Sequence, residues 1–436
     1  MTLRPSSRNL FLGLAALSLF VLAAPSGARA EAQLLIEAST GKVLHAENAT
    51  YPWYPASVTK LMTTYTTLRA VREKKVTFNT LLTVSKNAAA QQPTKMGLKA
   101  GTTVTIDNAL KMLLVKSAND MAVTIAEGVG GSIEGFADMM NANARRLGMS
   151  QSNFVNPNGL PAENHVTSAR DLGILARALI REFPEYDFYW HISSIRYGSR
   201  VYRNYNSLID RYPGADGMKT GFICASGYNV VASATRNGRR LIAIVLGAYS
   251  GAVRAQKAAQ LLERGFNGGS LTWLTPSLGT VDALVPIDAQ PPNLRDEMCG
   301  GHRRKPPSED NEEEEPSPDT PAAASGEAGS DGQAFMLSSL KPANGKFVLG
   351  PPVETTPPIV VFTGPPENPD SAAQAVSAAP KKKKTKTAKA TAEKPATGEK
   401  PAATADKPKA ATKPKTATPA AKPAMPAKPK VTSVAQ

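Results

Sequence analysis

The sequence predicts an α+β domain in which one central antiparallel sheet, built from both ends of residues 31–270, is flanked by helices from its middle. Three observations carry this. Short apolar runs around a turn open the segment, apolar repeats at three- and four-residue spacing fill its middle, and strand-like runs around Asn237-Gly238 close it. Period-two elements at both ends with helical elements between them bury their apolar faces when a sheet packs against helices. From residue 301 the composition shifts to Pro, Ala, Lys, Glu and Thr. Such a segment buries too little apolar surface to offset its ordering, so a disordered tail is expected over 301–436.

The elements follow in order. Arg4 and Arg8 precede an uninterrupted apolar stretch at 10–24, then Pro25 and Ala28-Arg29-Ala30. This reads as a secretory leader over 1–30, cleaved after Ala30; a membrane helix, the competing reading, needs about 20 apolar residues. The mature chain is then expected in a bacterial periplasm or cell envelope. Runs at 34–37 and 43–46 around Ser39-Thr40-Gly41 read as a hairpin. Val58, Leu61, Met62, Tyr65, Leu68 and Val71 mark an amphipathic helix beginning near Ser57. Further helices are predicted from Asp107 to Leu114, from Asp120, over 132–147 ending at Gly148, and over 168–183 ending at Pro184. Strands are predicted at 218–223, 228–235 and 240–248, the last two joined by the Asn237-Gly238 hairpin turn, and a final helix over 252–266.

The formal charge of +15 suggests a nucleic-acid binder until it is partitioned. Residues 31–270 carry 27 Lys and Arg against 17 Asp and Glu, net +10, and residues 381–430 carry 15 Lys against 3 acids, net +12. The remainder is acidic, notably Glu312 to Glu315 in the acidic stretch around 309–319. With 6% aromatics and no nucleic-acid-binding signature, no nucleic-acid partner is expected. The Lys/Pro/Ala-rich stretch 381–430 reads either as a solvated spacer or as a salt-sensitive contact with anionic envelope. The four histidines show no ligand spacing, so neither metal nor cofactor is expected. Cys224 and Cys299 are the only cysteines, and in an oxidising compartment they either pair or remain free thiols. A bond would move the folded boundary from about 270 to about 300.

Three motifs fall at junctions between elements: Ser57-Val58-Thr59-Lys60 at a helix start, Ser117-Ala118-Asn119 between helices, and Lys219-Thr220-Gly221 on a strand. Each alone is compatible with ordinary helix-terminus chemistry, and a second Ser-x-x-Lys, Ser338 to Lys341, lies in the tail. The ordered triple has chemical content. A Ser hydroxyl becomes nucleophilic when a neighbouring base takes its proton, and a Lys three residues on projects from the same helix face. Lys60 must be neutral to act as that base; burial and a nearby cation, Lys219, favour this. Ser117 can relay protons to a leaving amine, and Asn119 can fix Lys60 and bind a substrate amide. Lys219 and Thr220 suit a carboxylate, and Gly221 leaves room for a peptide to add along the strand.

This ordered set resembles the serine D-alanyl-D-alanine carboxypeptidases, the low-molecular-mass penicillin-binding proteins. So do Asn156-Pro157-Asn158-Gly159-Leu160, the stretch Thr167-Ser168-Ala169-Arg170-Asp171 and the strand from Gly227 to Ala234. The resemblance covers about residues 31–270. It implies the serine β-lactamase-like fold and removal of the terminal D-Ala from peptidoglycan pentapeptide through an acyl-enzyme at Ser57, with penicillins and other β-lactams acylating the same residue. It further implies Lys60 as base, Ser117 and Asn119 completing the site, Lys219 and Thr220 holding the terminal carboxylate, and the backbone N–H groups of Ser57 and Phe222 as oxyanion hole. Many relatives carry a polar residue or His where this chain has Phe222, and many have a second β-rich domain and a C-terminal amphipathic helix. Residues 271–300 are too few for the domain, and 431–436 too few for the helix.

Three other functions compete. A D,D-endopeptidase acting on cross-links would share the whole site. A class A β-lactamase would carry Asp where Ala118 stands and an Asn four residues after its deacylating Glu, whereas Glu163 is followed at that distance by Thr167. A non-catalytic wall-binding protein would not require Ser57, Lys60, Ser117 and Lys219. Asp171, in Ser168-x-x-Asp171, reads as part of a helix-capping arrangement and not as a catalytic acid.

Overall fold

The computed structural model describes residues 31–267, 277–301, 349–352 and 356–365. The predicted leader, the acidic stretch at 309–319 and the Lys-rich stretch at 381–430 lie outside the described residues. The chain divides into one compact unit up to Ala372 and a second, Ala373–Gln436; every described residue belongs to the first.

The elements run as strands β1 (Ala32–Glu37) and β2 (Val43–Glu47), a 3₁₀ turn Ala56–Thr59 continuing into helix α1 (Lys60–Arg72), strand β3 (Leu81–Thr83), helix α2 (Lys86–Ala89) and strand β4 (Thr103–Thr105). Helices α3 (Ile106–Val115), α4 (Asn119–Gly130), α5 (Ile133–Leu147) and α6 (Ala169–Glu182) follow. After a 3₁₀ segment, Pro184–His191, come strands β5 (Ser194–Tyr197), β6 (Arg200–Arg203), β7 (Ala215–Ile223), β8 (Gly227–Arg236) and β9 (Arg239–Ala248). Helices α7 (Gly251–Asn267) and α8 (Arg295–Cys299) and strand β10 (Ile359–Val361) complete the described chain.

Five strands form one antiparallel sheet in the order β2-β1-β9-β8-β7, so the two ends of residues 31–270 do meet in a single sheet. Its interior strands read as continuous apolar runs because both faces are covered. In β1, Leu34 and Ile36 point to one face, where a side chain at Gly173 of α6 would strike both; Leu35 points to the other, against Gly265 of α7. All three leucine and isoleucine side chains are fully buried. Helix α1 is buried along nearly its whole length, and its threonines are satisfied there: Thr64 Oγ1 donates to the Lys60 carbonyl and Thr67 Oγ1 to that of Thr63, each at 2.8 Å, while Thr63 Oγ1 donates to the Pro157 carbonyl and Thr66 Oγ1 accepts from Asn143 Nδ2.

The predicted helix boundaries follow capping chemistry. Ser132 and Ser168 accept from the N–H groups of Gly135 and Asp171, and Gly148 closes α5 at φ +76°. The Asp171 carboxylate does not return to its cap. It accepts from the Gln151 N–H, the Ser152 hydroxyl and the Arg170 guanidinium, at 2.7–2.8 Å, a buried brace between α6 and the preceding loop; burial raises its pKa despite these donors.

One feature departs from the sequence reading and a second decides between alternatives it left open. First, residues beyond 301 are not all without structure: β10 pairs in parallel with β5, Val361 is buried, and the Phe362 and Gly364 N–H groups donate to Asn108 Oδ1 and the Thr103 carbonyl. A three-residue apolar run inside a Pro-rich segment carries no periodic signal, which is why composition assigned it to the tail. Second, the packed unit continues past 270. Cys224 and Cys299 are bonded, with Cα atoms 5.7 Å apart, the Leu294 N–H donates to the Ala225 carbonyl, and the Val281 N–H to that of Gly41.

In the chain-entropy picture a bond closing a loop of 75 residues stabilises by roughly 4 kcal/mol. The double variant Cys224→Ser, Cys299→Ser is therefore expected to unfold at markedly lower denaturant, by a few kcal/mol, and intact mass after alkylation without reductant is expected to show no modified thiol in the parent protein.

Candidate active site

The 3₁₀ turn that carries Ser57 lies against β7, the edge strand of the five-stranded sheet. The approach is so close that a side chain at Gly221 would come within 2.7 Å of the Ser57 backbone nitrogen and 2.9 Å of that of Val58. Gly221 was expected to leave space for a peptide; the space it leaves is taken by the backbone around Ser57. Asn229 on β8 braces the same region, its Nδ2 donating to the carbonyls of Tyr54 and Pro55 at 3.2 Å while its Oδ1 accepts from the Gly247 N–H.

Lys60 opens α1 one turn after Ser57 and is wholly buried. Its Nζ donates to Ser57 Oγ at 2.9 Å, to Asn119 Oδ1 at 2.7 Å and to the Asn158 carbonyl at 2.7 Å. Lys219, 1% exposed, donates from Nζ to Ser117 Oγ and to the Thr220 carbonyl, both at 3.0 Å. Lys60 with Ser57 and Asn119, and Lys219 with Ser117, thus form two hydrogen-bonded groups at the seam between the sheet edge and the helices. Thr220 is buried beside Lys219 on β7. Phe222 is also packed away, its ring stacked on cross-strand Tyr228 with centroids 4.2 Å apart.

Ser117 sits at φ +58°, an unusual conformation for a residue with a side chain, and the loop at 92–97 holds it there. Thr94 Oγ1 donates to the Ser117 carbonyl at 2.7 Å, Asn119 donates from its backbone to the Thr94 carbonyl and from Nδ2 to that of Gln92. Asp120 secures this loop by accepting from the N–H groups of Met96 and Gly97. Across the site, Gly159 adopts φ +83° with the Ala56 carbonyl only 1.8 Å from where a Cβ would stand, so only glycine fits.

Sequence reasoning did not single out Asn158, Asp120, Thr94 or Asn229 for these tasks. Asn158 acts on Lys60 through its carbonyl, which leaves no mark on residue type, and Thr94 combines its hydroxyl with its own carbonyl in a loop that carries no pattern. Gly159 was legible in principle, since Asn-Pro-Asn-Gly is a turn signal.

Cys224 and Cys299 lie at the end of β7 and beside it, and the segment they bind borders a hollow of about 320 Å³ that is also lined by Tyr54, Pro55 and Ala56, which lead into Ser57. The buried His165 is one of the residues that line that hollow. Its Nδ1 accepts from the Val155 N–H at 3.0 Å, so Nε2 carries the proton and donates to Thr59 Oγ1 at 2.9 Å. Burial lowers its pKa to about 4. In the unfolded chain the ring charges near its ordinary value of 6.5, so stability present above that pH is lost as pH falls from 6.5 towards 4, by up to about 3 kcal/mol. His165→Gln is expected to flatten this part of the stability–pH curve. Asp171, with its raised pKa, acts in the opposite sense in both proteins and drops out of the difference; an equal loss of stability between pH 7 and pH 4.5 in the two proteins, read from urea titrations, would refute the assignment.

Residues 21–250 match the D-alanyl-D-alanine carboxypeptidase model of peptidase family S11. The chain is 35% identical over 282 residues to the D-alanyl-D-alanine carboxypeptidase DacC of Escherichia coli (strain K12), covering 59% of this chain and 69% of that one. Among solved structures it is similar to penicillin binding protein 6B from Escherichia coli, with TM-score 0.52, 34% identity and coverage of 56% of this chain and 78% of the other. It is also similar to Penicillin-Binding Protein D2 from Listeria monocytogenes in a cefotaxime-bound form, with TM-score 0.50, 30% identity and coverage of 54% and 96%. With over half its length matched by the family model and the fold it shares with these structures, the chain belongs to the D-alanyl-D-alanine carboxypeptidase family of serine peptidases.

Proposed function

We propose that the protein removes the terminal D-Ala from peptidoglycan pentapeptide stems in the cell envelope, through an acyl-enzyme on Ser57. The observation that carries this reading is the 2.9 Å contact between Lys60 Nζ and Ser57 Oγ, with Lys60 fixed on Asn119 and the Asn158 carbonyl. Desolvation penalises an ammonium more than an amine, and Lys60 is fully buried. In its neutral form it takes the Ser57 proton as Oγ attacks the carbonyl of the penultimate D-Ala. The N–H groups of Ser57 and Phe222 receive the developing oxyanion. Collapse breaks the C–N bond, and the departing D-Ala amine takes its proton from Lys60 by way of Ser117. Lys219 and Thr220 hold the terminal carboxylate. Water then attacks the ester, Lys60 again accepting the proton, and Ser57 is freed. β-Lactams, bound by the cefotaxime-carrying relative, are the expected covalent inhibitors at Ser57.

Export, with cleavage of the leader after Ala30, supplies the compartment in which this substrate is found and in which Cys224 and Cys299 oxidise. The Lys-rich stretch 381–430 is proposed to contact anionic envelope, with attachment weakening as salt rises.

Ser57→Ala is expected to abolish both D-Ala release from a pentapeptide and labelling by a fluorescent penicillin, and Lys60→Met to slow release by about a thousandfold or more. Full release by Ser57→Ala would sink the reading. Truncation after residue 370 leaves β10 in place, and is expected to shift the protein out of the envelope fraction at low salt; unchanged fractionation would refute the contact.

A further inference from the structure

Lys116 takes no part in the chemistry proposed for Ser57, Lys60, Ser117 and Lys219, yet its side chain is closely held. It caps the C-terminal end of α3, its N–H donating to the Met112 carbonyl, and the next residue is Ser117 at φ +58°. Its Nζ donates to the Tyr205 hydroxyl at 2.7 Å and lies 5.3 Å from the ring centroids of both Tyr202 and Tyr205. One acceptor and two aromatic rings thus fix the end of a flexible four-carbon stem. Tyr205 is itself anchored: it is 9% exposed, and its carbonyl accepts from Arg254 Nη2 at 3.3 Å. Its neighbours fasten the chain on both sides. Asn204 donates from its backbone to the Ser193 carbonyl and from Nδ2 to that of Ile192, while Asn206 Nδ2 donates to the Gly217 carbonyl at 2.7 Å. Gly217 lies on β7 shortly before Lys219. The Lys116–Tyr205 contact therefore ties the turn bearing Ser117 to the strand bearing Lys219 without using either of those side chains.

That independence bears on the carboxypeptidase reading above, on which this inference rests. Lys219 Nζ donates to Ser117 Oγ. A substrate carboxylate at Lys219 and Thr220 competes for that donor at the moment when Ser117 must pass a proton to the leaving amine. A residue at positive φ keeps that conformation only where its surroundings impose it. Thr94 imposes it from the carbonyl side of Ser117, and Lys116 from the amino side. We infer that Lys116 and Tyr205 are positioning residues for the Ser117 relay, keeping its hydroxyl within reach of the departing nitrogen while the substrate engages Lys219. Small displacements of a relay atom are costly, because proton transfer requires hydrogen-bond distance to both partners.

The test compares two donors that differ in the leaving group alone: Nα,Nε-diacetyl-L-lysyl-D-alanyl-D-alanine and its depsipeptide, in which D-lactate replaces the terminal D-Ala. Both present the same acyl part and the same terminal carboxylate, but an alcohol departs with less help from an acid than an amine does. Lys116→Met and Tyr205→Phe are each expected to lower the amide-to-ester ratio of kcat/KM about tenfold, with the ester rate close to that of the wild type. Lys116→Arg, which can still donate to the phenol, is expected to recover most of the ratio. The double variant Lys116→Met, Tyr205→Phe is expected to fall no further than the lower of the two single variants. Labelling by a fluorescent penicillin, run to completion, gives the concentration of acylatable enzyme for each variant. An unchanged ratio in Lys116→Met, equal losses on both donors, or a loss in Lys116→Met that Tyr205→Phe does not share overturns the positioning role while leaving the carboxypeptidase reading intact. Release from neither donor by the wild type overturns that reading and the role together.

Discussion

Keeping the Lys60 side chain wholly out of water is the constraint around which the site is built. A buried amine must have hydrogen-bond partners, because an unsatisfied polar group costs more than a formed bond returns. Here the partners come from three separate stretches: Ser57 one turn away, Asn119 at the start of α4, and the Asn158 carbonyl in the loop before α6. Satisfying one nitrogen therefore fixes the relative placement of α1, α4 and that loop. Lys219 does the same for the sheet edge, joining β7 to the turn at Ser117.

Most of the remaining special features serve this convergence. Gly221 and Gly159 sit where backbone presses on backbone at either side of the Ser57 turn. Asn229 reaches from β8 to hold the chain entering that turn, and Asp120 reaches from α4 to hold the loop that supports Ser117 and Asn119. His165, neutral and buried, hydrogen-bonds the Thr59 hydroxyl between the two proposed catalytic residues.

The sequence made the architecture readable where elements are long and their pattern is enforced by burial. The α5 and α6 boundaries follow from Ser132, Gly148 and Ser168, and the β8–β9 hairpin from Asn237-Gly238. The strands β3, β4, β5, β6 and β10 escaped notice because three or four residues do not establish a period of two. Within the site, side chains with distinctive chemistry at helix and strand junctions could be picked out as a set: Ser57, Lys60, Ser117, Asn119, Lys219. Contributions made through main-chain atoms could not, as with the Asn158 carbonyl. The purpose of Gly221 was misjudged for a related reason: a missing side chain marks a close approach without saying what approaches.

The pairing of β10 with β5 bears on self-association. The small sheet β10-β5-β6 would, without its late-arriving strand, present the apolar β5 residues Ile195 and Tyr197 on an open ladder, a template onto which another molecule could add a strand. The protein covers that ladder with its own residues 359–361, leaving as the new edge a strand of only three residues preceded by Pro357 and Pro358, and the opposite edge, β6, bears Arg200 and Arg203; shortness, proline and charge all discourage intermolecular pairing. A segment embedded in low-complexity sequence thus replaces an apolar edge of the folded enzyme with one less suited to sheet extension between copies.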